Sequence, residues 1–219
     1  RGLFRKGDAA TIIANPNSPT GTAVSNAELS RLARAVSGLL IVDEAYVDFA
    51  DRHALSLVER HPNVVVLRTF SKSFSLCGVR LGLAFAREDV IDGLAKVKDS
   101  YNVNRFAIAA GAAALEDIAW MRANAERIRA TRARLSHALK TMGWRVLPSQ
   151  SNFVFARTPA GAPFTAGDMY RALKARKVLV RYFGTPGLDN GLRISIGSDR
   201  EIDALLRNMR EIAAKPAGR

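Results

Sequence analysis

Cysteine occurs once in the 219 residues, at Cys77, which excludes an internal disulfide and any cysteine-based metal cluster. With no base beside it in the sequence, that thiol reads as a small packed residue and not a nucleophile. Histidine is nearly as scarce: His53, His61 and His137 stand at no metal-ligand spacing, so no zinc site is readable and no metal is expected. No run approaches the roughly 18 apolar residues of a membrane span, and no secretory signal pattern appears. We therefore expect a cytoplasmic protein without a membrane partner. Acids are also in short supply, 20 Asp+Glu against 33 Lys+Arg, for a net charge of +13. Such an excess suits nucleic acid or a phosphorylated substrate. Much of it lies in "MRANAERIRATRARLSHALK" (121–140), where arginines recur at helical spacing without the interleaved aromatics of a single-strand binder. We read that stretch as a solvated helix face and expect no nucleic-acid partner.

Hydrophobic residues make up 48% of the chain, enough for a globular protein, and the length allows one large or two modest domains. The first hundred residues alternate short apolar runs with helical patterns: "ATIIANP", "SNAELSRLARAVS", "LLIVDEAYVDF", "NVVVLRTFS", "GLAFA" and "REDVIDGLAKVKD". Continuous apolar strands of this kind predict an α/β sheet covered on both faces, with ligands bound at the carboxyl ends of its strands. From about Ala107 to Lys140 the chain reads as two helical segments that break near "ALEDIAWMRAN". Beyond them "WRVLPSQSNFVFAR", "TAGDMYRALKARK", "VLVRYF", "LRISIG" and "DREIDALLRNMREIAA" predict a small α+β unit. This places one domain at 1–118 and a second at 119–219. The opening "RGLFRKGDAATIIANPN" has no initiator Met and reads as mid-domain material, so a fragment is expected; the tail "KPAGR" reads as a frayed end.

Three strand ends in the first unit terminate in polar residues that a bland loop does not need: "ANPNSPTG" (14–21), "DEAY" (43–46) and "SKS" (71–73). A lysine such as Lys72, held beside a carboxylate and a phenol, can condense with an aldehyde cofactor, and pyridoxal phosphate is the one whose ring nitrogen seeks a carboxylate partner. Asp43 suits that nitrogen, because its negative charge favours the protonated, electron-accepting ring. Tyr46 and Asn17 offer a hydroxyl and an amide N–H to the 3-oxygen, while Ser71 and Arg80 offer a hydroxyl and a forked cation to the phosphate. Taken singly, each of these is an ordinary surface lysine, turn cap, packing tyrosine or ion-pair arginine. The set, in order, is what carries the reading.

"NPNSPTG", "DEAY", "FSKSFSLCGVRLG" and "LRISIG" together resemble the class I/II, fold-type I pyridoxal-phosphate aminotransferases, most of all their histidinol-phosphate branch, over residues 15–212. The resemblance implies part of a large α/β/α domain with a mixed, mostly parallel sheet, followed by a small C-terminal α+β domain. It implies pyridoxal 5'-phosphate as cofactor, with Lys72 as attachment lysine and proton shuttle. By the same likeness, Asp43 binds the ring nitrogen, Asn17 and Tyr46 the 3-oxygen, and Ser71 and Arg80 the phosphate. Arg193 would bind the substrate's carboxylate or polar group; Asn152, Arg181, Tyr101 and Asn102 would line the substrate side. Many relatives have Asn directly before "PTG" where this chain has Ser18, so the amide role falls to Asn17.

The implied reaction moves an amino group from a phosphorylated or aromatic donor, histidinol phosphate foremost, to 2-oxoglutarate, within histidine biosynthesis. Two other readings stay open: a non-catalytic aminotransferase-like module of a regulator, and a decarboxylase on the same scaffold. The family's ring-stacking aromatic and small-residue phosphate loop would precede Arg1, so this segment alone is expected to be inactive. The resemblance also implies a homodimer with a shared site. The small residues of "KDSYNVNRFAIAAGAAALED" (98–117) fit close helix packing, either between subunits or within the chain.

Overall fold

The computed structural model describes residues 7–214. The opening six residues and the tail 215–219, where a frayed end is expected, lie outside the described residues. The chain divides into two compact units: the first comprises residues up to Asn17 together with Ala23–Ala125, the second Ser18–Thr22 together with the residues from Glu126 onward.

In the first unit β1 (Ala10–Ala14), β2 (Leu39–Asp43) and β3 (Val64–Thr69) run parallel, and β4 (Gly82–Phe85) joins β3 antiparallel, in the order β1-β2-β3-β4. This is the mixed, mostly parallel sheet expected. Strand alternation sends Leu40, Val42, Val64 and Val66 to one face. There they form a core with Leu29 and Ala33 of α1 (Asn26–Ala35) and Leu57 of α2 (Ser56–Arg60). Cover on the opposite face is uneven among the described residues: Val65 of the central strand β3 is only 3% exposed there. Ile12, on the opposite face of the edge strand β1, is 71% exposed.

A second correction concerns "LLIVDEAYVDF", which stops being a strand at Asp43. The Asp43 carboxylate accepts from Ala45 N at 2.9 Å, an Asx-type turn that diverts the backbone, and a 3₁₀ turn (Val47–Phe49) buries the apolar remainder. Helices α3 (Glu88–Val97), α4 (Arg105–Glu116) and α5 (Ile118–Thr141) follow, and the expected break in the long helical stretch falls at Asp117. The units divide within α5, after Ala125, later than the 118/119 boundary read from the sequence, and both Met121 and Ala125 are buried ahead of that point.

The second unit is an antiparallel sheet of β5 (Arg145–Val146), β6 (Phe153–Arg157), β8 (Gly191–Ser195) and β7 (Arg181–Tyr182), in that order. Val154, Ala156, Leu192 and Ile194 face a core with Leu135 and Leu139 of α5, Met169 and Leu173 of α6 (Ala166–Ala175), and Ile202, Leu205 and Met209 of α7 (Asp199–Ala213). The run "VLVRYF" yields only the two-residue β7, because Lys177 takes a left-handed φ of 62° just before it and turns the chain. Alternation along β8 then puts Arg193 on the face away from this core, opposite Phe155 on one neighbour and Arg181 on the other.

Candidate active site

The parallel ladder sets three strand ends level. Ala14 pairs with Asp43 and Asp43 with Leu67, and beyond them Asn15 N donates to Asp43 O and Glu44 N to Leu67 O. The buried Asn15 pins the loop that carries Asn17, accepting from Val24 N at 2.8 Å and donating to Val24 O at 3.2 Å. Asp43, Tyr46 and Asn17 are half-buried at this edge.

The stretch after β3 is a closed loop: Phe70 N donates to Leu81 O, and Leu76 N to Phe70 O. Ser75 and Arg80 hold φ of 59° and 60°, a conformation uncommon outside glycine. At the base of the loop the Thr69 hydroxyl donates to Ser71 Oγ at 3.0 Å, lies 3.3 Å from Leu81 O, and accepts from Ser71 N. Thr69 thus ties Ser71 and Leu81 to the base of the same loop. The exposed Arg80 guanidinium spends one donor on Cys77 O at 2.7 Å and keeps the rest of its fork. Lys72 is exposed, its Nζ 5.3 Å from the centroid of the Tyr46 ring and without a hydrogen bond or ion pair to any described residue. The structure therefore brings Lys72 to Tyr46, just past Asp43 at the strand end, with Ser71 beside Lys72 in the loop that also carries Arg80, and Asn17 in the loop after β1.

Beneath that cluster lie polar residues that motif reading passes over. Glu44, 2% exposed, projects to the opposite face of the sheet from Asp43. It accepts from Ala54 N and from Arg68 Nε (3.0 Å), with Arg68 Nη2 2.9 Å away. Burial pushes its carboxyl up from the ordinary range, outweighing the opposing pull of Ala54 N–H and Arg68. The buried Ser73 donates to Asp48.

In the second unit Arg193 is half-buried, its guanidinium carbon 5.1 Å from the Phe153 ring and 5.7 Å from the Phe183 ring. Its Nη1 donates to Ser18 Oγ at 3.1 Å, and its Nε is buried with no acceptor among the described residues. Arg181, exposed, stacks 5.4 Å from Phe183 and pairs with Arg193 across the strands. Asn152 is held on both sides: Ile196 N donates to its carbonyl, and Arg132 donates to Ser151 O at 2.7 Å. Gly21 belongs here too. Its φ of 76° and the Ser149 hydroxyl, which stands where a Cβ would be, require glycine in "PTG". The motif "NPNSPTG" is thus divided, Asn17 going with the first unit and Ser18–Thr22 with the second. Tyr101, 93% exposed, and Asn102 precede α4 and make no hydrogen bond or ring contact with the strand-end cluster.

Comparison with known proteins accords with this arrangement. The chain is 44% identical over 204 residues to histidinol-phosphate aminotransferase 1 of Nostoc sp., covering 93% of this chain and 57% of that protein. It is 48% identical over 200 residues to histidinol-phosphate aminotransferase of Geobacter sulfurreducens, covering 91% and 56%. Among solved structures, histidinol-phosphate aminotransferase from Sinorhizobium meliloti in complex with pyridoxal-5'-phosphate matches with a TM-score of 0.81 at 28% identity, over 94% of this chain and 57% of that one. The chain spans less than three fifths of the length of these relatives. The family described as aminotransferase class I and II matches residues 5–209, nearly the whole length and every strand-end motif above, and the chain belongs to that family.

Proposed function

We propose that this chain forms part of a pyridoxal-phosphate-dependent aminotransferase that moves an amino group between histidinol phosphate, or an aromatic amino acid, and 2-oxoglutarate. The observation that carries the reading is the Lys72 amine, exposed and without a hydrogen bond to any described residue, over the Tyr46 ring at the same strand ends as Asp43. The donor set fits the cofactor: a carboxylate for its ring nitrogen, a phenol and an amide for its 3-oxygen, and hydroxyl plus guanidinium for its phosphate. When bound, pyridoxal phosphate supplies an electron-accepting ring that makes the amino acid's Cα–H acidic. Asp43 holds the proton on the ring nitrogen; Lys72 Nζ takes and returns the proton at the substrate's Cα. Tyr46 and Asn17 orient the ring through its 3-oxygen, and Ser71 and Arg80 hold the phosphate. Arg193, with its buried Nε unpartnered among the described residues, receives a substrate carboxylate; Arg181, Asn152, Tyr101 and Asn102 complete the substrate side. Histidinol phosphate is favoured by the names of the relatives.

With histidinol phosphate and 2-oxoglutarate the intact protein should form glutamate. Arg193→Lys should raise the KM for 2-oxoglutarate about tenfold or more with a smaller change in kcat, since a bidentate, charge-assisted contact is replaced by a point charge. Carbon dioxide release in place of glutamate would overturn the reading.

No helix among the described residues is long and apolar enough to cross a membrane. We also propose a two-fold homodimer. Val97 of α3 and Phe106 and Ile108 of α4 are 81%, 88% and 59% exposed, apolar side chains of the kind a subunit contact covers. Sedimentation of the intact protein across a dilution series should show a dimer whose activity falls as it dissociates. A fully active monomer at every concentration would contradict it.

A further inference from the structure

Lys72 is followed by Ser73, which is 4% exposed and donates its hydroxyl to the carboxylate of Asp48. Asp48 lies in the 3₁₀ turn Val47–Phe49, whose N-cap residue is Tyr46, and Tyr46 is the ring over which the Lys72 amine sits. One bond thus ties the residue beside the lysine to the turn that begins at the phenol. The sequence separation it spans makes this bond distinctive. Side-chain hydrogen bonds of Thr69, Ser71 and Arg80 remain within residues 69–81, whereas Ser73 reaches 25 positions back to the segment after β2. The Lys72 carbonyl is meanwhile held from the other side by Ser75 N at 3.1 Å.

We propose that Ser73 and Asp48 are positioning residues for Lys72: their bond sets where the lysine backbone stands relative to Tyr46 and hence where the amine is presented. Neither residue is assigned to a reacting atom or to the cofactor. A hydroxyl–carboxylate bond suits the task, being short, charge-assisted and shielded from competing water by the burial of Ser73. A lysine has four rotatable bonds of its own, so fixing its backbone narrows the volume its amine explores. The inference rests on Lys72 being the attachment lysine.

The test uses the intact protein, stripped of cofactor and remixed with pyridoxal 5'-phosphate. The rate of covalent capture is followed by borohydride quenching and peptide mass. Because displacement by about 1 Å can cost up to about a hundredfold, Ser73→Ala and Asp48→Ala should each slow capture at Lys72 about tenfold. They should lower kcat while the KM for the amino donor moves less than about twofold. Ser73→Thr and Asp48→Asn, which retain donor and acceptor, should restore capture to within about threefold. The double alanine variant should be no slower than the slower single one, as expected of two residues acting through one bond. Wild-type capture rates in both alanine variants would overturn the proposal. So would effects that multiply in the double variant, or losses that only track the unfolded fraction seen by circular dichroism. Capture in the wild type at a lysine other than Lys72 would remove the attachment reading itself, and this inference with it.

Discussion

Lys72→Ala in the intact protein is expected to lower aminotransfer on the order of 10⁴-fold while shifting the melting temperature by no more than about 4 °C. The two magnitudes come from different physics. For stability, Lys72 is exposed, its amine 5.3 Å from the centroid of the Tyr46 ring and without a hydrogen bond or ion pair to any described residue. A cation–π contact at an exposed site is worth about 0.5–1 kcal/mol, and in a chain of this size 1 kcal/mol moves the melting temperature by about 2–4 °C. For turnover, the variant loses both the amine that attaches the cofactor and the base at the substrate's Cα. A positioned base alone contributes about 10²–10⁴-fold. Parallel melting and steady-state measurements separate these effects. If Lys72→Ala keeps more than about a tenth of wild-type turnover, Lys72 is not the attachment lysine. The same variant should also lose the absorbance band of the lysine-bound cofactor and its sensitivity to borohydride.

The strand ends that build this cluster are legible in the sequence because each is an apolar run that stops abruptly at polar residues. "ATIIA", "LLIVD" and "VVVLRT" form β1 to β3, and the ladder sets their ends level. The helix break is legible as well, since Asp117 interrupts a run of small residues. Other features depend on contacts that periodicity does not encode. The overrun from Asp43 to Phe49 arises because Val47 and Phe49 are as apolar as strand residues, yet they are buried by a 3₁₀ turn that the Asp43 carboxylate initiates. Glu44 and Arg68 stand 24 positions apart, and Ser73 and Asp48 stand 25 apart. Each looks like an ordinary polar neighbour of a motif residue. The available signal is the period of two at a strand end: if Asp43 faces the ligand edge, Glu44 faces the core, and a carboxylate there needs a cation. Ser18 is a subtler case. As a departure from the family pattern it shifts attention to Asn17, but the structure shows it receiving a hydrogen bond from Arg193. Residue type alone does not reveal that partnership.

Glu44 carries the largest stability prediction. It is 2% exposed and its carboxylate accepts from two donors, Ala54 N and Arg68 Nε, with Arg68 Nη2 2.9 Å away in the same ion pair, on the covered side of the sheet. Glu44→Ala deletes all three interactions and leaves the Ala54 N–H and the Arg68 guanidinium without an acceptor. Removing one partner of a buried pair costs about 3–5 kcal/mol; with the Arg68 side chain 24% exposed, part of its charge can recover water, so about 3 kcal/mol is expected. That corresponds to roughly 6–12 °C in melting temperature. Glu44→Gln keeps an oxygen for Ala54 N or Arg68 and should cost less, about 1–2 kcal/mol. The pH dependence separates burial from pairing. Because burial raises the Glu44 pKa above its ordinary value of 4.5, the folded protein binds this proton more tightly than the unfolded chain does. Where the native state holds more protons, stability falls as pH rises. Wild type should therefore lose its margin over Glu44→Gln progressively as pH climbs from 4.5 through the raised value, and the difference should level off above it. Thermal melts of both proteins across that range, read as a difference, isolate this one group from the other carboxylates. A margin that widens with rising pH would mean that Arg68 and Ala54 outweigh burial, and that the charged pair is held more tightly than its desolvation opposes.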